Sequence, residues 1–498
     1  MVKHRAGRFV TRAIPLGALA VAALVSTPAW AQAGDGLPDT PPGRRLAELI
    51  AVLNPGDYSS IRSYAESTLS AEFVAGALDD RVDALMRIHA ASDRLTVVRV
   101  LSASGERVIA EVVNQLAEMS QALGVSVERR APHRITMWFQ APAGGPRTPG
   151  LPAPPPANEV VEVMGSFLIR LAAAGVFSGT MLIARGDSIL VLRAFGLAHR
   201  SPDVDNRTDT RFDIGSIGKL FTTVAIAQLA EQGLLALQDP VARHLGPDWM
   251  SPELASEIRV EHLLTHRSGL GDYLESDAML RATAPARALD DYRPVILAER
   301  PQFRPGSRFS YSNSGFLVLG AIVEHASGRS FDEYIRDRVF APAGVVGSGE
   351  ALNNPTAPPA PAYATGYTSR FSASGTSWRD NTARMANVAP SPAGGQFASA
   401  EDLWRFSRAL MTGALVGDSM WRMLSSPAPV RGGPPSGYGF EVESLGDERV
   451  VGHGGSHEGI GAALDMYLRS GYTLVVLSNS DRSAFSVRAK FRSVLLRR

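Results

Sequence analysis

Apolar residues at Leu46, Leu49, Ile50 and Leu53 recur at the spacing of one helical face and predict an amphipathic helix. Asn54-Pro55-Gly56-Asp57 ends it in a turn. Two more helical patterns follow, around Tyr58 to Leu69 and Arg81 to Ala91. The period then changes to two. The runs RLTVVRVL, RVIAEVV and HRITMWFQ read as strands, with Ile135, Met137 and Phe139 alternating in the last. Helices first and strands second, over about a hundred residues, predict a small α+β unit.

Residues 141–157, APAGGPRTPGLPAPPPA, hold seven prolines and three glycines and read as an extended, semi-rigid linker. Such linkers carry few contacts, so residues 158–498 are expected to fold and act without residues 32–140. The pattern beyond the linker is different. An amphipathic helix, VVEVMGSFLIRLAAAG, leads to two strands, SGTMLIAR and ILVLRAFG, joined at Gly186-Asp187. Helical and loop-rich sequence fills roughly 216–425. Strands RVVGHGG, GAALDMYLR and YTLVVLSN then precede a last helix, AFSVRAKFRSVLLRR. Sheet at both ends with helices between predicts an α/β (α+β) fold. An antiparallel sheet is closed by distant segments, flanked by helices and interrupted by a helical lobe, with the cleft between sheet and lobe.

The first unit is loosely similar to the cone-shaped NTF2-like domains. Nothing in it reads as catalytic, and His89 and His133 read as ordinary structural or surface residues. The 498-residue chain is long enough for two or more domains, and its formal net charge of +1 gives no footprint for nucleic acid. Its first 31 residues carry Lys3, Arg5, Arg8 and Arg12, then the apolar run AIPLGALAVAALVS and a small-x-small site at Ala29-Trp30-Ala31. This is the pattern of a cleaved secretory signal peptide, which predicts a periplasmic or secreted protein with no stable membrane span after cleavage. The chain has no cysteine, which excludes disulfides, thiolate nucleophiles, cysteine-ligated zinc and a lipoprotein anchor. No H-E-x-x-H, P-loop or G-x-S-x-G pattern occurs around the candidate residues.

Three stretches carry candidate chemistry. In FDIGSIGKLF, Ser216 precedes Lys219 by three, a spacing that puts both on one helical face. Only three lysines, 3, 219 and 490, occur among the 50 lysines and arginines. Lysine can give up a proton where arginine cannot, so one beside a serine is a candidate base for a hydroxyl that needs one. Gly215 permits close approach, and the helix N-terminus favours an oxyanion. The alternative is that Ser216 caps the helix. In PGSRFSYSNSGFLVLG, Tyr311-Ser312-Asn313 enters an apolar helix. It reads either as a cap with a core tyrosine or as a proton relay beside a substrate-binding amide. In VVGHGGSHEG, His453-Gly454-Gly455-Ser456 reads either as a glycine turn or as an open strand against which a substrate can lie.

Together and in this order the three stretches resemble the serine β-lactamase and penicillin-binding-protein superfamily. The similar branch contains class C β-lactamases, DD-carboxypeptidases, D-aminopeptidases and related esterases. LLTHRSGL (263–270) and AGGQFASAEDLWRF (393–406) support the resemblance, which covers about 160–498. It implies Ser216 as the acylated nucleophile and Lys219 as its base or the partner of that base. It implies Tyr311 as the proton shuttle to the leaving group, Asn313 as a substrate-orienting residue and His453 in place of the commoner lysine. The N–H groups of Ser216 and Ser456, with Gly455 between the third motif and Ser456, would form the oxyanion hole. Whether Lys219 or Tyr311 is the base stays open. His266 and His457 are read as structural or rim residues.

The expectation is an exported serine hydrolase acting through an acyl-enzyme on an ester, β-lactam or D-amino-acid peptide, with no cofactor or metal. Its partner is a small-molecule or peptide substrate. The alternatives are acyl transfer to an alcohol or amine, and a binding protein that traps acylating ligands. A third places the function in residues 32–140. Loops 354–361 and 427–435 would set specificity, and the sequence leaves the oligomeric state open.

Overall fold

Thr40 starts the first helix: its side chain accepts from the Gly43 N–H, and prolines occupy the first turn, where a missing N–H costs nothing. In a computed structural model of the chain, residues 36–142, 154–276, 279, 288–345, 363–381, 390–428, 436–481 and 483–496 are described. The leader read over 1–31, most of the 141–157 segment, the loop 354–361 and most of 427–435 lie outside them.

Helices α1 (Pro41–Leu53), α2 (Tyr58–Thr68) and α3 (Leu78–Ser92) precede strands β1 (Leu95–Ala103), β2 (Arg107–Asn114), β3 (Met119–Val127) and β4 (Ile135–Pro142). The strands form an antiparallel sheet in the order of the chain. Leu46, Leu49 and Leu53 of α1 meet Ile61, Leu85, Val108, Leu123 and Ile135 in one core. The period of two fails at β3 because Ala122 to Val125 are all buried, and because Gly124 is needed where a Cβ would strike the Phe139 ring.

The second sheet joins distant parts of the chain. Helix α4 (Ala157–Ala173) leads into β5 (Gly179–Arg185) and β6 (Ser188–Phe195). Two-residue β7 (Phe212–Asp213) precedes α5 (Lys219–Glu231), and α6 (Asn313–Ser327) crosses it in the middle of the chain. Next come the hairpin β8 (Tyr367–Ser372) and β9 (Gly375–Asp380), then β10 (Phe397–Ala398) and α7 (Ala400–Met411). Strands β11 (Glu441–Leu445), β12 (Glu448–His457), β13 (Ile460–Tyr467) and β14 (Tyr472–Ser478) and helix α8 (Ser483–Leu495) complete it. The order is β11-β12-β13-β14-β5-β6, all antiparallel, so β14 pairs with β5 across most of the sequence. This is the closure the sequence predicts. The hairpin 367–380 was not foreseen; its pattern is mostly polar.

The two faces of this sheet take alternate residues. Met181, Ile183, Leu474 and Val476 pack under α4 and α8, beside Phe167, Val487 and Phe491. Leu182, Ala184, Val475 and Leu477 face the helical lobe, with Leu220, Val224, Phe316 and Leu319. Every residue of β14 is buried, because both faces are covered. In the lobe, Phe221 meets Phe340 and Phe406 edge-on at 4.8 and 4.9 Å, each pair contributing ~0.5–1.5 kcal/mol beyond its buried area. The lobe thereby fixes α5, whose first residue is Lys219.

The expectation of few contacts between the two parts is not met. Lys490 on α8, buried, donates to the carbonyls of Ala117 and Glu118 in the β2–β3 turn at 2.9 and 3.1 Å. Ala117 itself belongs to the core under α4 and α8. At the other contact, Asp83 accepts from the Phe371 N–H at 2.9 Å and pairs with Arg370 at 2.7 Å. A short proline-rich connection does not prevent two surfaces from docking once polar groups and apolar residues match on both.

Candidate active site

Strand β12 loses its outer neighbour at Gly452, the last partner of β11. From His453 onward that edge meets the turn Gly215–Gly218, which leads into α5. Alternation puts His453, Gly455 and His457 on one face of β12. The glycine is a requirement of space: a Cβ at Gly455 would lie 2.0 Å from the Ile214 oxygen and 3.2 Å from the Ser216 nitrogen. Gly215 has φ +51, which disfavours a side chain, and a Cβ there would crowd the Ser456 nitrogen at 3.1 Å. The backbones of Ser216 and Ser456 therefore lie side by side.

Ser216 sits in this 3₁₀ turn, and α5 has no side-chain cap, so the capping alternative does not hold. The Lys219 nitrogen is 3.1 Å from Ser216 Oγ, 2.6 Å from Asn313 Oδ1 and 2.5 Å from the Ala393 carbonyl. Lys219 is fully buried, and burial brings its ammonium down to about 7 against a partial upward pull from Asp272. In its neutral form the amine has two N–H bonds and one lone pair. The two strong acceptors, Asn313 Oδ1 and Ala393 O, take the N–H bonds, and the lone pair is left for the Ser216 hydroxyl proton.

Asn313 is held at its other end, where Nδ2 donates to Asp272 Oδ2 at 2.7 Å. This fixes the amide with its oxygen toward Lys219. Ser312, not Asn313, caps α6 by accepting from the Gly315 N–H at 2.9 Å, which leaves Asn313 for Lys219. Tyr311 keeps 40% of its surface exposed, and its hydroxyl interacts with Ser216. Desolvation holds the phenol above its usual range, against a smaller lowering by Ser216, so it is protonated at neutral pH.

His266 stacks on Tyr311 at 4.2 Å and 26°, while its Nδ1 accepts from the Ser312 N–H at 3.1 Å. Burial keeps this imidazole neutral. Its backbone has φ 53, a conformation found at sites where surrounding structure overrides local preference. His266 is a platform for Tyr311, a structural part as the sequence suggests, but at the centre of the site and not its rim.

His453 is buried, and its Nδ1 donates to the Gly454 carbonyl at 2.5 Å. Burial lowers its pKa, Lys219 and Arg488 push the same way, and Glu441 opposes them. The imidazole is therefore neutral at pH 7, a weaker cation than an unperturbed histidine. Glu441 lies 3.9 Å from His453 Nδ1, accepts from the Gly454 N–H at 3.2 Å and pairs with Arg488 at 2.9 Å.

All the residues read from the three motifs thus converge on one cleft. Two groups that touch Lys219 or its partner were not anticipated: Asp272 and the Ala393 carbonyl. Asp272 lies two residues beyond 263–270, and Ala393 opens 393–406. Proximity to those stretches was the available signal.

The family model described as Beta-lactamase matches residues 133–497. The chain belongs to the beta-lactamase family. Within it, the chain is 28% identical over 315 residues to penicillin-binding protein 4* of Bacillus subtilis, covering 61% of this chain and 68% of that one. Among solved structures, a penicillin-binding protein from Bacillus halodurans is 30% identical with a TM-score of 0.57, over 68% of this chain and 98% of that one. The D-amino acid amidase of Ochrobactrum anthropi, 22% identical with a TM-score of 0.57 over 68% and 98% of the two chains, shares the fold. Members of this family are serine hydrolases built on the same mixed architecture. Among the described residues no helix is long and apolar enough to cross a membrane.

Proposed function

We propose that the chain is an exported serine hydrolase that forms an acyl-enzyme at Ser216. The observation that carries this reading is the Lys219 amine, desolvated and held so that its lone pair meets the Ser216 hydroxyl. Ser216 Oγ bonds to the acyl carbon as its proton passes to Lys219, the base. The carbonyl electron pair moves onto oxygen, where the N–H groups of Ser216 and Ser456 stabilise it. Collapse restores the C=O and breaks the bond to the leaving oxygen or nitrogen, which takes the Tyr311 proton and departs as the alcohol or amine; the Lys219 ammonium reprotonates Tyr311. Water then attacks the acyl carbon, loses a proton by the same route, and Ser216 departs with its hydroxyl restored. Asn313 holds Lys219, and its alignment lets it meet a substrate amide as well.

The substrate class is a small ester or an amide, D-amino-acid amides included, ahead of carboxylate-bearing β-lactams. The neutral His453 supports this, since it offers little charge for a carboxylate. The basic-then-apolar first 31 residues support export. Residues 32–140 form, in this reading, a separate unit that stabilises the hydrolase part and leaves the chemistry to it.

A panel of p-nitrophenyl acetate, D-alanyl p-nitroanilide and nitrocefin at pH ~8 tests the reading. The ester or the anilide is expected to be turned over fastest. Nitrocefin in first place overturns the substrate class, and no turnover of any of the three overturns the hydrolase assignment.

A further inference from the structure

His457 lies two positions beyond Gly455 on the face of β12 that meets the nucleophile turn. Its Nε2 is 2.8 Å from Asp213 Oδ2, and its Nδ1 is 3.0 Å from the Glu458 carbonyl. Both partners only accept hydrogen bonds, so both ring nitrogens donate and the ring is an imidazolium. The other oxygen of Asp213, Oδ1, accepts from the Gly215 N–H at 2.7 Å. Asp213 is 9% exposed and lies on β7, which pairs with β10. Gly215 is the left-handed residue immediately before Ser216. Ile214, the residue that precedes the turn, supplies no side-chain cap.

From this chain of contacts we infer that His457 and Asp213 form a latch that sets the position of the Ser216 turn against β12, with His457 a positioning residue. The inference rests on Ser216 being the nucleophile. Asp213 is the joint: one oxygen fixes the backbone entering Ser216, the other is fixed by the strand that supplies the Ser456 N–H. Without His457 the carboxylate can rotate, and the Gly215 N–H loses its aligned acceptor. The nucleophile and the second oxyanion donor then no longer share one frame. Displacements of about 1 Å at this level can cost up to ~10²-fold in rate.

The test measures fluorophosphonate labelling of the full-length protein, resolving the maximal rate from the half-saturating concentration, with thermal melting alongside. In His457→Ala the maximal rate is expected to fall by about tenfold to a hundredfold at an unchanged half-saturating concentration. His457→Gln, whose amide N–H reaches the Nε2 position, is expected to recover to within about threefold of wild type, with both variants melting with wild type. Where the alanine variant fails to fold, His457→Asn replaces it, since its shorter amide cannot reach Asp213. Labelling of His457→Ala at the wild-type rate overturns the latch, as does a glutamine variant as slow as the alanine or asparagine one. Wild type that takes no label at Ser216 removes the nucleophile reading and the latch with it.

Discussion

If the Lys219 amine is the base, protonating it should switch off acylation along a defined curve. An ordinary lysine with a pKa near 10.5 is neutral about three times in ten thousand at pH 7. At a value of about 7, roughly half of the enzyme holds the neutral amine at that pH. Burial thus raises the fraction of active base by roughly a thousandfold, a benefit comparable to general-base catalysis itself. The sign follows directly: the neutral form works, so kcat/KM is lost as pH falls. Against a plateau above pH ~8, the loss should be about tenfold at pH ~6 and about a hundredfold at pH ~5. The assay is kcat/KM for p-nitrophenyl acetate, a substrate without titrating groups, corrected for spontaneous hydrolysis. His453→Gln removes one of the ionisable rings near the nucleophile and should leave the acid limb in place. Lys219→Arg keeps the charge and loses the titration, and should cost at least ~10²–10⁴-fold. A profile flat from pH ~5 to ~8, or an arginine variant within about tenfold of wild type, refutes the assignment.

His453→Lys should lower KM for a carboxylate-bearing cephalosporin and leave KM for the neutral ester unchanged; no gain on the cephalosporin would make His453 a structural residue of β12. In wild type, any rise of KM for the cephalosporin with pH should be centred below the ordinary histidine value of ~6.5, because burial depresses His453. Deleting residues 1–156 strips Lys490 of the Ala117 and Glu118 carbonyls and bares part of the core under α4 and α8. Each buried group left unpaired costs ~1–3 kcal/mol, so the truncated protein should melt several degrees below full length. Identical melting curves would mean that the contacts add nothing.

The sheet was legible where burial follows a simple rule. Strands 179–185 and 188–195 and the three at the C-terminus show either alternation or unbroken apolar runs, and their closure into one sheet followed from their placement at both ends. β3 was not legible because its buried run and Gly124 answer to Phe139 on the neighbouring strand, a contact with no local signature. The docking of 36–140 on the rest of the chain was hidden for the same reason: Asp83 meets Phe371 across 288 positions. In the site, Ser216, Lys219, Tyr311, Asn313 and His453 could be read because their chemistry lies in the side chain and their spacing is short or ordered. The second acceptor of Lys219 is a backbone carbonyl, which any residue can supply. Asp272 is one carboxylate among 49 acidic residues, and only the fold brings it to Asn313.

The central claim is that Ser216 carries the acyl group. The direct measurement is peptide mapping by mass spectrometry after reaction with a fluorophosphonate, in wild type and in Ser216→Ala. The adduct is expected on the peptide containing Ser216 and on no other serine, with the alanine variant unlabelled and without turnover of p-nitrophenyl acetate. An adduct on a different serine, or undiminished turnover in Ser216→Ala, would contradict the account.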